Sequence, residues 1–212
     1  MNMEYQKKKF ANHKATLTDL GNIKILDFKN PDSFEYRIRF LFEEDYYRLH
    51  ISGDLGELTA TNYKNMCYEK FYDFAFNPGY FEEKIDCMSR SLYVYEEDEA
   101  RKHIRNIING NNIRDNIVWK YKIEIDCDFD EFESEKAVDE CIDKYIDDFL
   151  YDYFDYDIGL SYEGLEKLQK LGADVYEHDE IGKVSTGIID LYMLAFRLAR
   201  AQIDGSKENK KV

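Results

Sequence analysis

Carboxylates are the side chains in this sequence that are best suited to binding or catalysis, and many of them lie in one stretch. Residues 124–157 hold fifteen Asp or Glu side chains and two Lys. Asp139, Asp143 and Asp147 recur every four residues, a spacing that places side chains on one face of a helix. Like charges at this spacing cost about 0.2–0.5 kcal/mol per pair in an isolated helix, so stability alone does not explain them.

The pattern favours a docking surface for a basic protein. Carboxylates can occupy positions in a basic groove that phosphates would otherwise take, and aromatic side chains among them add contact area. A solvated face that only keeps the protein soluble is the alternative. The residues that we predict to form the docking surface are Asp139, Glu140, Asp143, Asp147, Asp148, Tyr151, Asp152, Asp155, Tyr156 and Asp157. We expect Asp143→Lys combined with Asp147→Lys to weaken docking without unfolding the protein.

A metal site is a weaker interpretation of the same stretch. Asp126, Asp128 and Asp130 occupy positions 1, 3 and 5 of a calcium-binding EF-hand loop. Glu131 then takes the place of the glycine that the turn needs, and Ala137 that of the bidentate glutamate. We therefore predict no dedicated metal site and no cofactor.

No catalytic motif is present in the sequence. His13, His50, His103 and His178 are far apart, and none lies in an HxH or HExxH pattern. His50 and His103 could still meet a cysteine or a carboxylate in the folded chain. A second short motif, Gly53-Asp54-Leu55-Gly56, lacks the spacing of a phosphate-binding loop and reads as a hairpin turn. The sequence favours a non-enzymatic protein. The alternatives are a small hydrolase or nucleotide-processing enzyme with dispersed His, Asp and Glu residues, and a structural or regulatory homo-oligomer.

The net charge indicates the kind of partner. Asp and Glu number 44 against 29 Lys and Arg, which gives a formal charge of −15. Such a field repels phosphate backbones and attracts basic surfaces. We therefore predict a basic protein partner, of the kind that processes nucleic acids, and no direct binding of nucleic acid.

Hydrophobic periodicity predicts the elements that position these groups. Alternation predicts antiparallel strands at 22–28, 34–43, 46–52 and near 57–63. In the second strand Phe34, Tyr36, Ile38, Phe40 and Phe42 share one face, and in the third Tyr47, Leu49 and Ile51 do so.

The rest of the chain reads as mainly helical. A helical pattern over 65–88 is broken at Asn77-Pro78-Gly79, and 91–95 resembles a further strand. Alternation predicts another strand at 117–127, with Trp119 and Tyr121 on its apolar face. The predicted later helices are 96–108, 134–153, 161–171 and 184–203.

These elements predict an α+β fold, with an N-terminal antiparallel β-meander packed with helices and a helical C-terminal part. We expect one domain over 1–212, β-rich over 20–112, with a further strand and the helical part over 113–205. A disordered tail is predicted at 206–212. A two-lobe arrangement divided near residue 112 is an alternative. The apolar stripe of the last helix would serve a core or a homodimer equally well.

The N-terminus and the cysteines bear on cellular location. The basic start MNMEYQKKKFANHK is not followed by the apolar run of a secretory signal. No apolar run is long enough to cross a bilayer. Cysteines 67, 87, 127 and 141 have irregular spacings, as expected of buried, reduced thiols. We therefore expect a cytoplasmic protein.

Three segments carry a family resemblance. ISGDLGEL (51–58), NPGYFEEKI (77–85) and YVYEEDEARKHI (93–104) resemble parts of small acidic proteins encoded by phages and mobile elements of Gram-positive bacteria. The likeness covers residues 34–108. It implies an accessory or counter-defence protein, a group that includes anti-CRISPR inhibitors, which often occupy basic nucleic-acid-binding surfaces of RNA-guided nucleases. The resemblance maps no functional residues onto this chain.

Overall fold

The chain forms two compact units. The ranges that the computed structural model describes are 3–111, 113–124, 135–175 and 180–208. Unit 1 comprises Met1–Leu92 and Gly187–Val212, and unit 2 is the intervening segment Tyr93–Thr186. Unit 2 is therefore inserted into the sequence of unit 1, and the division predicted near residue 112 falls inside it. That the whole chain behaves as one cooperative domain stays a prediction.

The elements follow in chain order. The strands are β1 (Lys14–Asp19), β2 (Ile23–Lys29), β3 (Ile38–Glu43), β4 (Arg48–Gly53), β5 (Leu58–Thr61), β6 (Ile85–Met88), β7 (Tyr93–Tyr95), β8 (Phe154–Asp155), β9 (Gly159–Leu160) and β10 (Lys183–Ser185). The helices are α1 (Met3–Lys9), α2 (Pro78–Glu82), α3 (Glu97–Gly110), α4 (Arg114–Glu124), α5 (Glu135–Tyr153), α6 (Tyr162–Lys170) and α7 (Ile188–Glu208), and Phe71–Phe76 is a 3₁₀ helix.

Unit 1 is built on one antiparallel sheet. Within the described residues, β1 to β6 pair in sequence order, each strand with the next along the chain. Alternation explains why they form strands: in β3 the side chains of Ile38, Phe40 and Phe42 are buried, whereas Arg39 between them is exposed. The predicted α+β class, with an N-terminal meander and a helical C-terminal part, is confirmed.

Helix α7 completes the core of unit 1. It packs against β1, β2, β3 and the 3₁₀ helix. The ring of Phe196 lies 4.8 Å from that of Phe71 and 5.5 Å from that of Phe40, centroid to centroid. Ile188, Tyr192 and Ala195 are buried in the same core. The helix face that could have paired with a second copy is therefore used inside unit 1.

The strand predicted at 34–43 is wrong over its first four residues. Tyr36 has a φ of 57°, in the left-handed region that a strand does not contain, and Phe34 is 81% exposed. The backbone N–H of Arg37 donates to Oδ2 of Asp54 at 2.8 Å, and its guanidinium holds the same carboxylate. Contacts with a distant turn therefore set the beginning of β3.

Other predicted boundaries also move. Tyr47, predicted to point inward from a strand, lies in the turn before β4 with a φ of 51°. Residues 85–88, predicted as helix, form the edge strand β6. Val184 belongs to β10, so the last helix begins later than predicted. That helix extends to Glu208, so residues 206–208 are helical rather than disordered, and 209–212 lie outside the described residues.

Unit 2 is mainly helical and has its own, mainly aliphatic core. Helices α3, α5 and α6 contribute Ala100, Ile104, Ile108, Ile142, Ile146, Leu165 and Leu168 to it. Strands β7 and β10 pair antiparallel, with Val94 opposite Val184. Because these strands lie at the two ends of the inserted segment, they form a ribbon where the chain enters and leaves unit 2.

The strand predicted at 117–127 is wrong, because residues 114–124 form helix α4. Ile113, Ile117 and Val118 are buried, at the spacing of one helix face. Val118 belongs to the polar side of the predicted strand, and Trp119, on its apolar side, is 59% exposed. Packing of α4 against α5 therefore overrides the alternation. Residues 125–127 lie outside the described residues.

Candidate functional site

Helix α5 carries most of the predicted docking residues and forms where the sequence predicts. Its buried side chains, Cys141, Ile142, Ile146, Phe149 and Leu150, recur at helical spacing and face the core of unit 2. The helix packs against α3, α4 and α6. The carboxylates between these apolar positions are therefore fixed on the surface of a packed helix.

The three aspartates spaced four apart are paired with arginines. Asp147 binds Arg101 and Asp143 binds Arg105, both on α3. The two pairs run in opposite sequence order, so α3 and α5 are antiparallel and their four-residue spacings match. These pairs join two helices of the same unit.

The third aspartate of the row completes the series. Asp139 Oδ1 accepts a 2.7 Å hydrogen bond from the guanidinium of Arg114 on α4. All three aspartates are about half exposed, so each pair contributes about 0–1 kcal/mol to stability. Asp143→Lys with Asp147→Lys would place lysines against Arg105 and Arg101, which makes that double substitution a poor test of docking.

A second carboxylate row faces away from the arginines. Among the described residues, Asp148 and Asp152 form no ion pair and accept no hydrogen bond. Tyr151 lies between them in sequence and is 91% exposed. Glu140 lies in the same row, eight residues before Asp148. Its Oε1 lies 3.5 Å from Nζ of Lys136. We call Glu140, Asp148, Tyr151 and Asp152 the outer face of α5.

The residues after α5 form a small hairpin of β8 and β9. Oδ1 of Asp155 accepts hydrogen bonds from the backbone N–H groups of Asp157 (2.7 Å) and Ile158 (3.3 Å), so this carboxylate shapes the turn. The hydroxyl of Tyr156 donates to Oε2 of Glu97 at 2.7 Å, and this hydrogen bond raises the pKa of Tyr156. The side chain of Asp157 is exposed beside them.

The ten predicted docking residues therefore divide into two kinds. Asp139, Asp143, Asp147, Asp155 and Tyr156 contact other segments of unit 2 or shape its turn, whereas the other five face outward, with Glu140 paired only to Lys136 of its own helix among the described residues. Sequence reasoning missed the arginine partners on α3. The signal that could have found them is the spacing of Arg101 and Arg105, which equals that of Asp143 and Asp147.

The histidines are in separate environments. His13 is buried, its Nε2 lies 3.0 Å from the carbonyl oxygen of Tyr36, and burial lowers its pKa. Nδ1 of His103 accepts the N–H of Gly182 at 3.2 Å. His50 lies beside a carboxylate, Oε2 of Glu43, at 3.1 Å. His178 lies outside the described residues.

The cysteines, the glycine-rich turn and the acidic loop have separate outcomes. Cys141 is buried as predicted, whereas Cys87 is exposed, so burial is wrong for that thiol. Gly53 ends β4, and Asp54-Leu55-Gly56 lies in the turn that connects it to β5, as predicted. Within the described ranges, no three His, Cys, Asp or Glu side chains lie where they could hold one metal ion. Asp126, Asp128, Asp130 and Cys127 lie outside those ranges.

Comparison with known proteins identifies no similar protein. No protein family, curated protein or solved structure matches the chain. In the part of the chain that the structure describes, no helix is both long and apolar enough to cross a membrane.

Proposed function

We propose that this protein acts as a binding protein: the outer face of α5 docks on a basic, nucleic-acid-binding surface of another protein, and this docking involves no catalysis. The partner class is a nucleic-acid-processing enzyme, with an RNA-guided nuclease as the specific candidate. The mechanism is competition, because a bound acidic helix occupies the surface that the phosphate backbone needs.

One observation carries this proposal. Tyr151 is 91% exposed between Asp148 and Asp152, two carboxylates without an ion-pair partner among the described residues. An exposed tyrosine adds little to solubility, whereas tyrosine is enriched at the centres of protein interfaces. Asp148 keeps its charge available to a basic partner, whereas the charge of Asp152 acts in part on Lys167.

The arginine pairs support the choice of the outer face. Asp139, Asp143 and Asp147 are engaged with arginines of unit 2, so much of their field is neutralised locally. The formal charge of −15 remains, and it favours approach of a basic surface from a distance. Docking of this kind depends strongly on salt, because added ions screen charges at the rim of an interface.

The test compares two variants of equal net charge. Asp148→Lys with Asp152→Lys reverses the outer face, and Asp32→Lys with Glu35→Lys reverses two exposed carboxylates of unit 1. The probe is a purified RNA-guided nuclease loaded with its guide RNA, and the readouts are DNA cleavage and binding affinity at low and high salt. We expect reversal of the outer face to lower the binding affinity by about tenfold or more. The unit 1 variant should bind and inhibit like the wild type.

Thermal unfolding of both variants provides the control for folding. Neither change touches a buried residue or breaks an ion pair among the described residues, and the interaction of Asp152 with Lys167 is between exposed groups, so the melting temperatures should stay close to that of the wild type. Equal weakening by the two variants, or no binding by the wild-type protein at low salt, would contradict the proposal.

A further inference from the structure

The outer face of the unit 1 sheet brings together reactive side chains from four strands. Strand pairing places His50 of β4 opposite Thr59 of β5, and Thr59 opposite Cys87 of β6. Glu43, the last residue of β3, contacts His50 from the other side. The order of the strands therefore brings these four side chains together, although no sequence motif predicts it.

His50 connects a carboxylate to a hydroxyl. Its Nε2 lies 3.1 Å from Oε2 of Glu43, and its Nδ1 lies 3.1 Å from Oγ1 of Thr59. A carboxylate oxygen only accepts hydrogen bonds, so the proton of the neutral ring lies on Nε2. Nδ1 then keeps its lone pair, and the hydroxyl of Thr59 donates to it. This order of groups is that of an activated nucleophile: carboxylate, imidazole, hydroxyl.

The hydroxyl of Thr59 borders a space that a small molecule can enter. His50, Thr59, Ser52, Cys87 and Ser89 line a groove of about 350 Å³ on the sheet. That volume lies within the range of small-molecule sites. Oγ of Ser89 accepts the backbone N–H of Glu57 at 2.8 Å, so its own hydroxyl hydrogen is available to a bound oxygen.

We propose that Thr59 is a nucleophile for acyl transfer, that His50 is its general base, and that Glu43 is the positioning residue that orients the imidazole. The substrate class is a small, activated carboxylic ester, because the groove is open to solvent and, apart from the titratable groups His50 and Glu57, hydroxyl, thiol and apolar side chains line it. This activity belongs to unit 1 and is independent of the docking surface on unit 2.

The reaction balances with the ester and water alone. Oγ1 of Thr59 forms a bond to the acyl carbon while its proton moves to Nδ1 of His50. The ester C–O bond breaks, and the leaving alcohol takes that proton. Water then attacks the acyl-threonine, gives its proton to Nδ1, and the threonine oxygen recovers a proton as the carboxylic acid leaves. The net change is ester plus water to acid plus alcohol.

The test uses p-nitrophenyl acetate as the probe. Because exposed thiols also react with this ester, all proteins carry Cys87→Ser, which leaves Thr59 and His50 in place. The readouts are the rate of p-nitrophenolate release and the position of the acetyl group, located by mass spectrometry of peptides. We expect acetylation of Thr59, its loss in Thr59→Val, and a loss of about 100-fold or more in rate in His50→Gln.

The same strand provides a matched control. Thr61 lies two residues after Thr59, and its hydroxyl donates to Oδ1 of Asp86 at 3.0 Å instead of to a histidine. Thr61→Val should leave the rate unchanged. Glu43→Gln should lower the rate and alter its pH profile, whereas a residue that only supports the fold would lower the melting temperature without moving that profile.

Two results would overturn the proposal. One is an unchanged release rate in Thr59→Val at an unchanged melting temperature. The other is acetyl found only on residues other than Thr59 in the Cys87→Ser background. Neither result bears on docking by unit 2, because that proposal is tested with a different probe and with variants in a different unit.

Discussion

The two units differ in their cores, although both carry surface ion pairs, such as that of Arg39 with Asp27 in unit 1. Unit 1 encloses a cluster of aromatic rings around Phe196, with Phe42, Tyr68 and Phe71 within 6.2 Å of it, centroid to centroid. Unit 2 encloses mainly aliphatic side chains, together with the ring of Phe149, and carries arginine and aspartate pairs at the rim of its helices. Added salt screens the ion pairs and does not weaken the packing of the buried rings.

Surface charge matters differently for the stability of the two units. The aromatic core of unit 1 buries large apolar areas, each ring contributing well beyond what one surface ion pair provides. In unit 2, three arginines neutralise one row of α5, and the surplus of carboxylates points outward. The outward-facing carboxylates are therefore presented to solvent on a helix that is packed against α3, α4 and α6.

The largest expected effect is loss of the central ring of unit 1. Phe196→Ala should lower the free energy of unfolding by about 3–5 kcal/mol, because the ring is fully buried among other rings. The control Phe34→Ala, at an 81% exposed position, should change it by less than about 0.5 kcal/mol. Hydrogen exchange followed by mass spectrometry reports each unit separately. Loss of protection in both units together would support one cooperative domain; loss confined to unit 1 would contradict it.

Alkaline pH should weaken unit 1 in particular. Burial raises the pKa of Tyr68 and of Tyr192 to about 12. The folded state holds these two protons more tightly than the unfolded state, in which the pKa is about 10.0. Their contribution to stability is therefore complete below pH 10 and is lost as the pH rises from 10 to about 12. The loss is about 2–3 kcal/mol for each tyrosine.

Urea unfolding at about pH 9 and about pH 11.5 measures this effect. Tyr68→Phe should remove the share of Tyr68 and flatten the pH dependence, because phenylalanine does not titrate. A pH dependence that is identical in the wild type and in Tyr68→Phe would show that burial of Tyr68 does not cause it.

The smallest expected effect lies in unit 2. Asp143→Asn should lower the free energy of unfolding by less than about 1 kcal/mol, because the pair with Arg105 is about half exposed. A double-mutant cycle with Arg105→Gln isolates the coupling between the two side chains. The coupling should shrink at high salt, whereas the effect of Phe196→Ala should not. A coupling that is independent of salt would break the contrast between the units.

Two segments with the same alternation show how far the sequence could predict the fold. Residues 38–43 and 117–124 both alternate apolar and polar side chains, yet only the first is a strand. The first has neighbouring strands on both sides with which to pair its backbone. The second packs against α5 as a helix, with Ile117 and Val118 both buried. Short alternating segments fit both structures, and the available partner decides between them.

The candidate docking surface was predicted in outline and altered in detail. Helical spacing correctly predicted α5 and its apolar stripe. It also grouped Asp139, Asp143 and Asp147 as the exposed ridge, although each of them meets an arginine from another helix. Local spacing reports which side chains share a face, and it carries no information on what a second helix places against that face.

The sequence by itself determined the α+β class, the antiparallel meander, the position of α5 and the surplus of negative charge. Each of these depends on periodicity or composition, which act within one segment. Tertiary structure alone decided that α4 is a helix, which carboxylates remain unpaired, and that Glu43, His50 and Thr59 meet on the sheet. Those outcomes depend on contacts between segments distant in sequence, and such contacts exist only once the core has brought the segments together.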